Sequence, residues 1–229
     1  MINVLKSWDD LGASIHSLLP VKCFHADPFK NWDLAQIHRV CSALPKSARI
    51  LDAGCSESYC STLKYFYRTG FEQAEGIDLN ISFQDRLEQF VIMKSDRMLK
   101  PPFRLHKGDL MHTPFRRDTF DAVTCLSVIE HGVEIELFFR EMCRVLKPGG
   151  LLYVSTDYWP EKIRTEGVTA WGLDWTIFSK DEIQQVIQAA IDEGLRIDDV
   201  AIPSAQVPIV RWSGKEYTFI SMVFQKSLP

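Results

Sequence analysis

The sequence predicts an α/β fold, a doubly wound and mostly parallel sheet with helices on both faces, on three observations. The first is the run Arg49-Ile50-Leu51-Asp52-Ala53, which reads as a short buried strand entering a tight turn at Gly54, with Asp52 at its lip. A helix pattern follows, with Tyr59, Leu63, Phe66 and Tyr67 at helical spacing. Strand, glycine turn, then helix is how an open α/β sheet builds a small-molecule crevice at the carboxyl ends of its strands. The second is the next apolar run to end in an acid, Gly76-Ile77-Asp78-Leu79-Asn80, whose carboxylate suits a ribose diol. The third is Lys107-Gly108-Asp109-Leu110. Three acidic strand ends in that order, behind one glycine turn, point to a nucleoside ligand.

The remaining elements follow along the chain. Residues 1–48 are expected to form an N-terminal helical lid or cap segment, and 49–229 a single domain. The first segment carries Trp8, Trp32 and a helix pattern at Leu34, Ile37, Cys41 and Leu44 that ends before Pro45. Asn31 is the expected cap, since its side chain can accept from the free amides of the first turn. Strands are predicted near 49–53, 73–77, 103–107, 120–126 and 151–155. A helix from Ser82 has Phe83, Leu87, Phe90 and Val91 on one face, and another spans 133–146 before Pro148-Gly149-Gly150 turns the chain. In the helix 181–193, Ser179 and Glu182 make a capping box, and Ile183, Val186, Ile187, Ala190 and Ile191 form an apolar stripe. Gly194 follows as its C-terminal stop. The last strand, 217–225, is apolar on both faces, as for a strand covered on both sides.

At 229 residues the chain fits one α/β domain, large enough to bury roughly 70% of its unfolded-chain surface without staples. The net charge is -4 and charged residues make up 24%. No apolar run approaches a membrane span, and Met1-Ile2-Asn3-Val4-Leu5-Lys6 lacks a signal peptide's long apolar region. The six cysteines (Cys23, Cys41, Cys55, Cys60, Cys125, Cys143) show no CxxC pairing. Reduced thiols in a cytoplasmic protein are the expectation.

The chain resembles a class I S-adenosylmethionine-dependent methyltransferase of the methyltransferase type 11 kind. The resemblance rests on the segment 49–58, on Gly108-Asp109-Leu110, Thr113-Pro114-Phe115 and Phe120-Asp121-Ala122-Val123, on Val128-Ile129-Glu130-His131, and on Arg144 to Leu152. It implies a Rossmann-like sheet whose last strand runs antiparallel, and S-adenosyl-L-methionine as cofactor. Gly54 lets the backbone turn and pass close to the ligand. The family has two further glycines where this chain has Ser56 and Ser58; serine is small, but positive φ now carries a steric cost. A nicotinamide dinucleotide is disfavoured, because its pyrophosphate needs the glycine-rich turn. The resemblance puts Asp52 under the methionine amino group, Ser56 beside its carboxylate or ribose, Asp78 on the ribose hydroxyls and Asp109 on the adenine amino group. Leu79 and Leu110 wall the ring, and Leu126 and Ser127 lie beside the methionine end.

Methyl transfer is a direct displacement in which the protein mainly aligns the acceptor, and a hydroxyl nucleophile also needs a general base. The candidates are His131, Asp157 and Tyr158, near the carboxyl ends of the fourth and fifth strands. The stretch 158–178 carries Tyr158, Trp159, Trp171, Trp175 and Phe178 and is read either as the acceptor wall or as an aromatic core closing the site. Lys30 and Trp32 are candidates for an opposing lid. Between Lys94 and Arg117 seven basic residues face Asp96 and Asp109, read as a solvated face. The expected acceptor is a small molecule, a hydroxyl of a sugar or secondary metabolite, with neither nucleic acid nor membrane as partner and no metal. The alternatives are a protein or RNA methyltransferase, or a non-catalytic protein that retains the fold.

Overall fold

Five strands whose side chains are buried on both faces set the architecture of the computed structural model, which describes residues 1–56 and 60–228. Ser58 and Tyr59, named above, lie outside the described residues. The elements are β1 (Ile2–Val4), α1 (Trp8–Leu18), α2 (Asn31–Cys41), β2 (Arg49–Ala53), α3 (Ser61–Arg68), β3 (Gln73–Asp78), α4 (Phe83–Ser95), β4 (Arg104–Lys107) and β5 (Phe120–Leu126). They continue with α5 (Ile135–Val145), β6 (Leu146–Tyr158), β7 (Thr169–Ala170), β8 (Leu173–Asp174), α6 (Lys180–Asp192), β9 (Leu195–Arg196), β10 (Val210–Trp212) and β11 (Lys215–Lys226).

The main sheet runs β1-β11-β6-β5-β2-β3-β4, with β9 and β10 also pairing β11. Strands β6, β5, β2, β3 and β4 are mutually parallel, and β11 is antiparallel to β6. Alternation along each strand sends successive side chains to opposite faces. Leu51, Val123 and Val154 meet Phe138, Phe139 and Met142 of α5 and Ile183 and Val186 of α6. Ile50, Ala122 and Tyr153 meet Leu34 and Ile37 of α2 and Leu63 and Phe66 of α3 on the other side. Each such buried side chain contributes about 2 kcal/mol. A third cluster joins Leu5, Leu11 and Trp32 to Trp175, Tyr217 and Phe219.

Several local expectations are corrected. Asn31 is the first helical residue rather than the cap. Its Oδ1 accepts from the His25 amide at 2.9 Å and its amide group donates to the Pro28 carbonyl at 3.0 Å, so it binds the preceding loop instead. Leu44 lies beyond α2, which ends at Cys41. Phe83, Leu87, Phe90 and Val91 do share a face of α4, but that face is exposed. The capping residue Asp85 and Ile92 take the inward side. Ile191 is exposed and leaves the α6 stripe, whose capping box stands as predicted. The first residues, read without an element, add edge strand β1 to β11.

The six cysteines are free thiols. No helix among the described residues is long and apolar enough to cross a membrane.

Candidate functional site

The parallel register lines up the acidic strand ends. Gly54 turns the chain out of β2 with φ +85, its amide donating to the Ile77 carbonyl at 2.8 Å. A Cβ there would come within 2.2 Å of Val128 Cγ2, so glycine is required both by conformation and by space. Asp52 is buried and accepts from Thr124 Oγ1 at 2.8 Å. Burial pushes its carboxyl up to about 7, against the Thr124 hydrogen bond.

Asp78 ends β3 with both oxygens engaged, Oδ2 by the Ser56 amide and Oδ1 by the Asn80 amide, each at 3.0 Å. Burial holds this carboxyl above its ordinary range despite those amides. The Ser56 hydroxyl is taken elsewhere: it donates to Asp85 Oδ2 at 2.5 Å. Asp85 also accepts from the Ser82 amide at 2.9 Å and the Ser82 hydroxyl at 2.7 Å, so the α4 cap grips the turn that follows β2. Asp109 is part-exposed and accepts from the Met111 amide at 2.8 Å. Leu110 beside it is buried, and Leu79 beside Asp78 is exposed.

A second polar group gathers where β5 and β6 end. Ser127 adopts φ +48, a strained conformation for a non-glycine residue. Its hydroxyl meets Lys30 Nζ, which arrives from the start of α2 and also lies 3.3 Å from the centroid of Phe219. The Lys30 ammonium stands 3.8 Å from Asp33 Oδ2. Asp33 is buried, with Oδ1 accepting from Tyr153 at 2.9 Å. Glu130 is buried with Oε2 accepting from Thr156 at 2.9 Å, and burial lifts it to about 7. Asp157 is likewise lifted to about 7, first by burial and then by Glu130, with Lys30 and the Trp175 indole opposing. Trp175 Nε1 donates to Asp157 Oδ2 at 2.8 Å.

His131 completes this group. Burial lowers its imidazole below the ordinary value, Asp157 pulling the other way. Asp33 Oδ2, Glu130 Oε1 and His131 Nδ1 are buried and without hydrogen-bond partners among the described residues. Tyr158 sits apart, because alternation turns it to the opposite face of β6 from Asp157. It packs in the α5–α6 core, where burial pushes its hydroxyl up to about 12.

The aromatic stretch divides between the core and the surface. Trp159, Trp175 and Phe178 join the core, and Trp175 packs edge-on against Tyr217 and Trp212. Trp171 stands at the tip of the β7–β8 hairpin with φ +53, followed by Gly172 at φ +80. Its exposed ring meets His131 edge-on with centroids 4.9 Å apart. Sequence reasoning missed Asp33, Glu130 and Asp85 as parts of the site. Glu130 adjoins His131 and Asp33 lies one turn from Lys30, but spacing does not tell a site carboxylate from a surface one. A cleft of about 430 Å³ opens between the 129–136 segment and α6, lined by Glu130, Thr176, Phe178, Glu182 and Val186. It reaches this group through Glu130 and does not include Asp78 or Asp109.

Residues 51–154 match the family model described as a methyltransferase domain. Sterol 24-C-methyltransferase ERG6B of Gibberella zeae is 25% identical over 163 residues, 67% of this chain. The chain spans 41% of that relative's own length. Among solved structures, a SAM-dependent methyltransferase from Methanosarcina mazei superposes with TM-score 0.61 at 17% identity, covering 83% of this chain and 98% of that one. The [4+2]-cyclase SpnF superposes with TM-score 0.64 at 16% identity, covering 100% and 99%. These two structural likenesses speak to the fold alone.

Proposed function

We propose that this chain, whose residues 51–154 match a methyltransferase domain, is a class I S-adenosylmethionine-dependent methyltransferase that methylates a hydroxyl of a small molecule, a sugar or secondary metabolite. The single observation that carries this reading is the pair of buried polar atoms without hydrogen-bond partners, Glu130 Oε1 and His131 Nδ1, at the ends of β5 and β6. A buried polar atom left without a partner costs about 1–3 kcal/mol, and a polyhydroxylated acceptor is the kind of ligand that satisfies both at once.

The residues present fit the cofactor. Each Asp78 oxygen accepts one amide and keeps a further lone pair for a ribose hydroxyl. The exposed side chain of Leu79 and the part-exposed Asp109 suit an adenine ring and its amino group. Ser56 contributes its amide to Asp78 rather than its hydroxyl to a ligand. When bound, S-adenosylmethionine supplies an electrophilic methyl group.

His131 is the general base of this reading. Its lowered pKa keeps the ring neutral near pH 7, and Nδ1 is free to accept the acceptor's hydroxyl proton. Asp157 is held by Trp175 beside it and steadies the imidazolium that forms. Trp171 orients the ring and offers an apolar face to the acceptor. Lys30 makes the opposing wall from the N-terminal segment, whereas Trp32, expected there too, is buried in the third cluster. Tyr158, turned away from this group, is a packing residue.

The reading is tested by S-adenosylhomocysteine release with a panel of hydroxyl acceptors, comparing the parent with His131→Gln. Turnover by the parent that falls at least about a hundredfold in the variant supports it. Equal turnover removes His131 as base. A second reading, a protein that keeps the fold without methyl transfer, draws on Val128 packed over Gly54 and the committed Ser56 hydroxyl. It predicts no binding of S-adenosylhomocysteine.

A further inference from the structure

Helix α4 is inverted relative to an ordinary surface helix. At 100° per residue, Phe83, Leu87, Phe90, Val91 and Lys94 fall on one side and the buried pair Asp85 and Ile92 on the other. Phe83 is 81% exposed, Phe90 50%, Val91 53%, and Leu99 in the following loop 100%. Contiguous exposed apolar surface of this kind marks an interaction site.

The charges around it are one-sided. Arg86, Lys94, Arg97 and Lys100 are exposed and have no ion-pair partner among the described residues. The acids of the same segment are spent internally. Asp85 is buried in the cap, Glu88 pairs with Lys64 at 3.4 Å, and Asp96 accepts from Tyr67 at 2.7 Å and Arg68 at 3.2 Å. Lys94 lies over the Phe90 ring with its nitrogen 5.4 Å from the centroid. An apolar ridge flanked by cations is the pattern of a helix that lies in the plane of an anionic lipid surface.

We propose that the exposed face of α4, with Leu99, docks this protein peripherally on an anionic membrane surface. The expectation of no membrane partner rested on the length needed to span a bilayer, which does not limit a helix lying on one. A second copy is the poorer occupant, because a two-fold contact would set the same four cations against each other. Nucleic acid accounts for the cations but not for Leu87, Val91 and Leu99, which have no π-face to stack on bases. The inference goes beyond the proposed reaction and does not depend on it.

Co-sedimentation of the full chain with phosphatidylcholine vesicles, with and without phosphatidylserine, tests it. Binding is expected to the anionic vesicles and to weaken with salt. Phe83→Ser/Phe90→Ser, both at exposed positions, should lower it about tenfold or more. Lys94→Glu, which leaves the apolar residues in place, should lower binding about fivefold or more. The proposal is overturned by equal binding to neutral and anionic vesicles, by no binding to either, or by the Phe variant binding as the parent does. It is also overturned if single-stranded RNA binds this face and the Phe variant does not weaken it. A concentration-dependent dimer abolished by the Phe variant would assign the face to a second copy instead.

Discussion

Ser56 donates its hydroxyl to Asp85 at 2.5 Å while its amide donates to Asp78. Ser56 thus links two elements: the turn after β2 is fastened to the cap of α4, and the same residue steadies the carboxylate at the end of β3. Ser56 does not adopt positive φ, so the steric cost expected of a serine in this turn does not arise at this position.

Asp85→Asn follows from that arrangement. An amide cannot accept from the Ser56 hydroxyl, the Ser82 hydroxyl and the Ser82 amide as a carboxylate does. The variant should lose about 2 kcal/mol in urea unfolding, and its affinity for S-adenosylhomocysteine should fall as well. An unchanged affinity would separate the brace from the cofactor site.

Lys30→Met should be costly despite removing a residue from a loop–helix junction. It strips the buried Asp33 carboxylate of its cation, and breaking a buried pair costs about 3–5 kcal/mol. The double variant Lys30→Met/Asp33→Asn should recover much of the loss. A cycle without coupling would remove the pair from the account.

Asp157 makes stability depend on pH with the sign opposite to an ordinary salt-bridged acid. Its carboxyl sits at about 7 in the folded chain against its ordinary value of 3.8. The folded state therefore holds a proton between those values that the unfolded state has released, and stability falls as pH rises through that window. His25, lowered to about 4, works in the other direction, so the comparison is between the parent and Asp157→Asn. The variant should gain stability relative to the parent from pH 5 to pH 8, and a constant difference would contradict the assignment.

Trp171→Gly isolates the hairpin tip. The ring is exposed and its backbone is in the left-handed region, where glycine is at ease. Unfolding stability should stay within about 0.5 kcal/mol, while kcat/KM for a hydroxyl acceptor falls about tenfold or more as His131 loses its orienting contact. A loss of stability with turnover intact would make Trp171 structural.

The parts of this molecule written in local pattern were legible. The strand-turn unit at 49–54, the acidic ends Asp78 and Asp109, and the Ser179–Glu182 box each depend on residues a few positions apart. The contacts that assemble the polar group around Lys30 do not. Lys30 and Ser127 are 97 residues apart, and nothing in either segment names the other. Helical period groups Phe83, Leu87, Phe90 and Val91 on one face but is silent on which way that face points; the buried Asp85 decided it. Trp171 occupies a turn position that usually calls for asparagine or glycine, so the hairpin carried no sequence signal.

The central claim, a nucleoside cofactor held at the end of β3, is tested most directly by calorimetric titration with S-adenosylhomocysteine. The parent and Asp78→Ala are to be titrated side by side, with unfolding curves for both. The account predicts binding by the parent, binding at least about tenfold weaker by the variant, which is about 1.4 kcal/mol, and a smaller change in unfolding free energy. Equal binding by both proteins, or no binding by a folded parent, would contradict it.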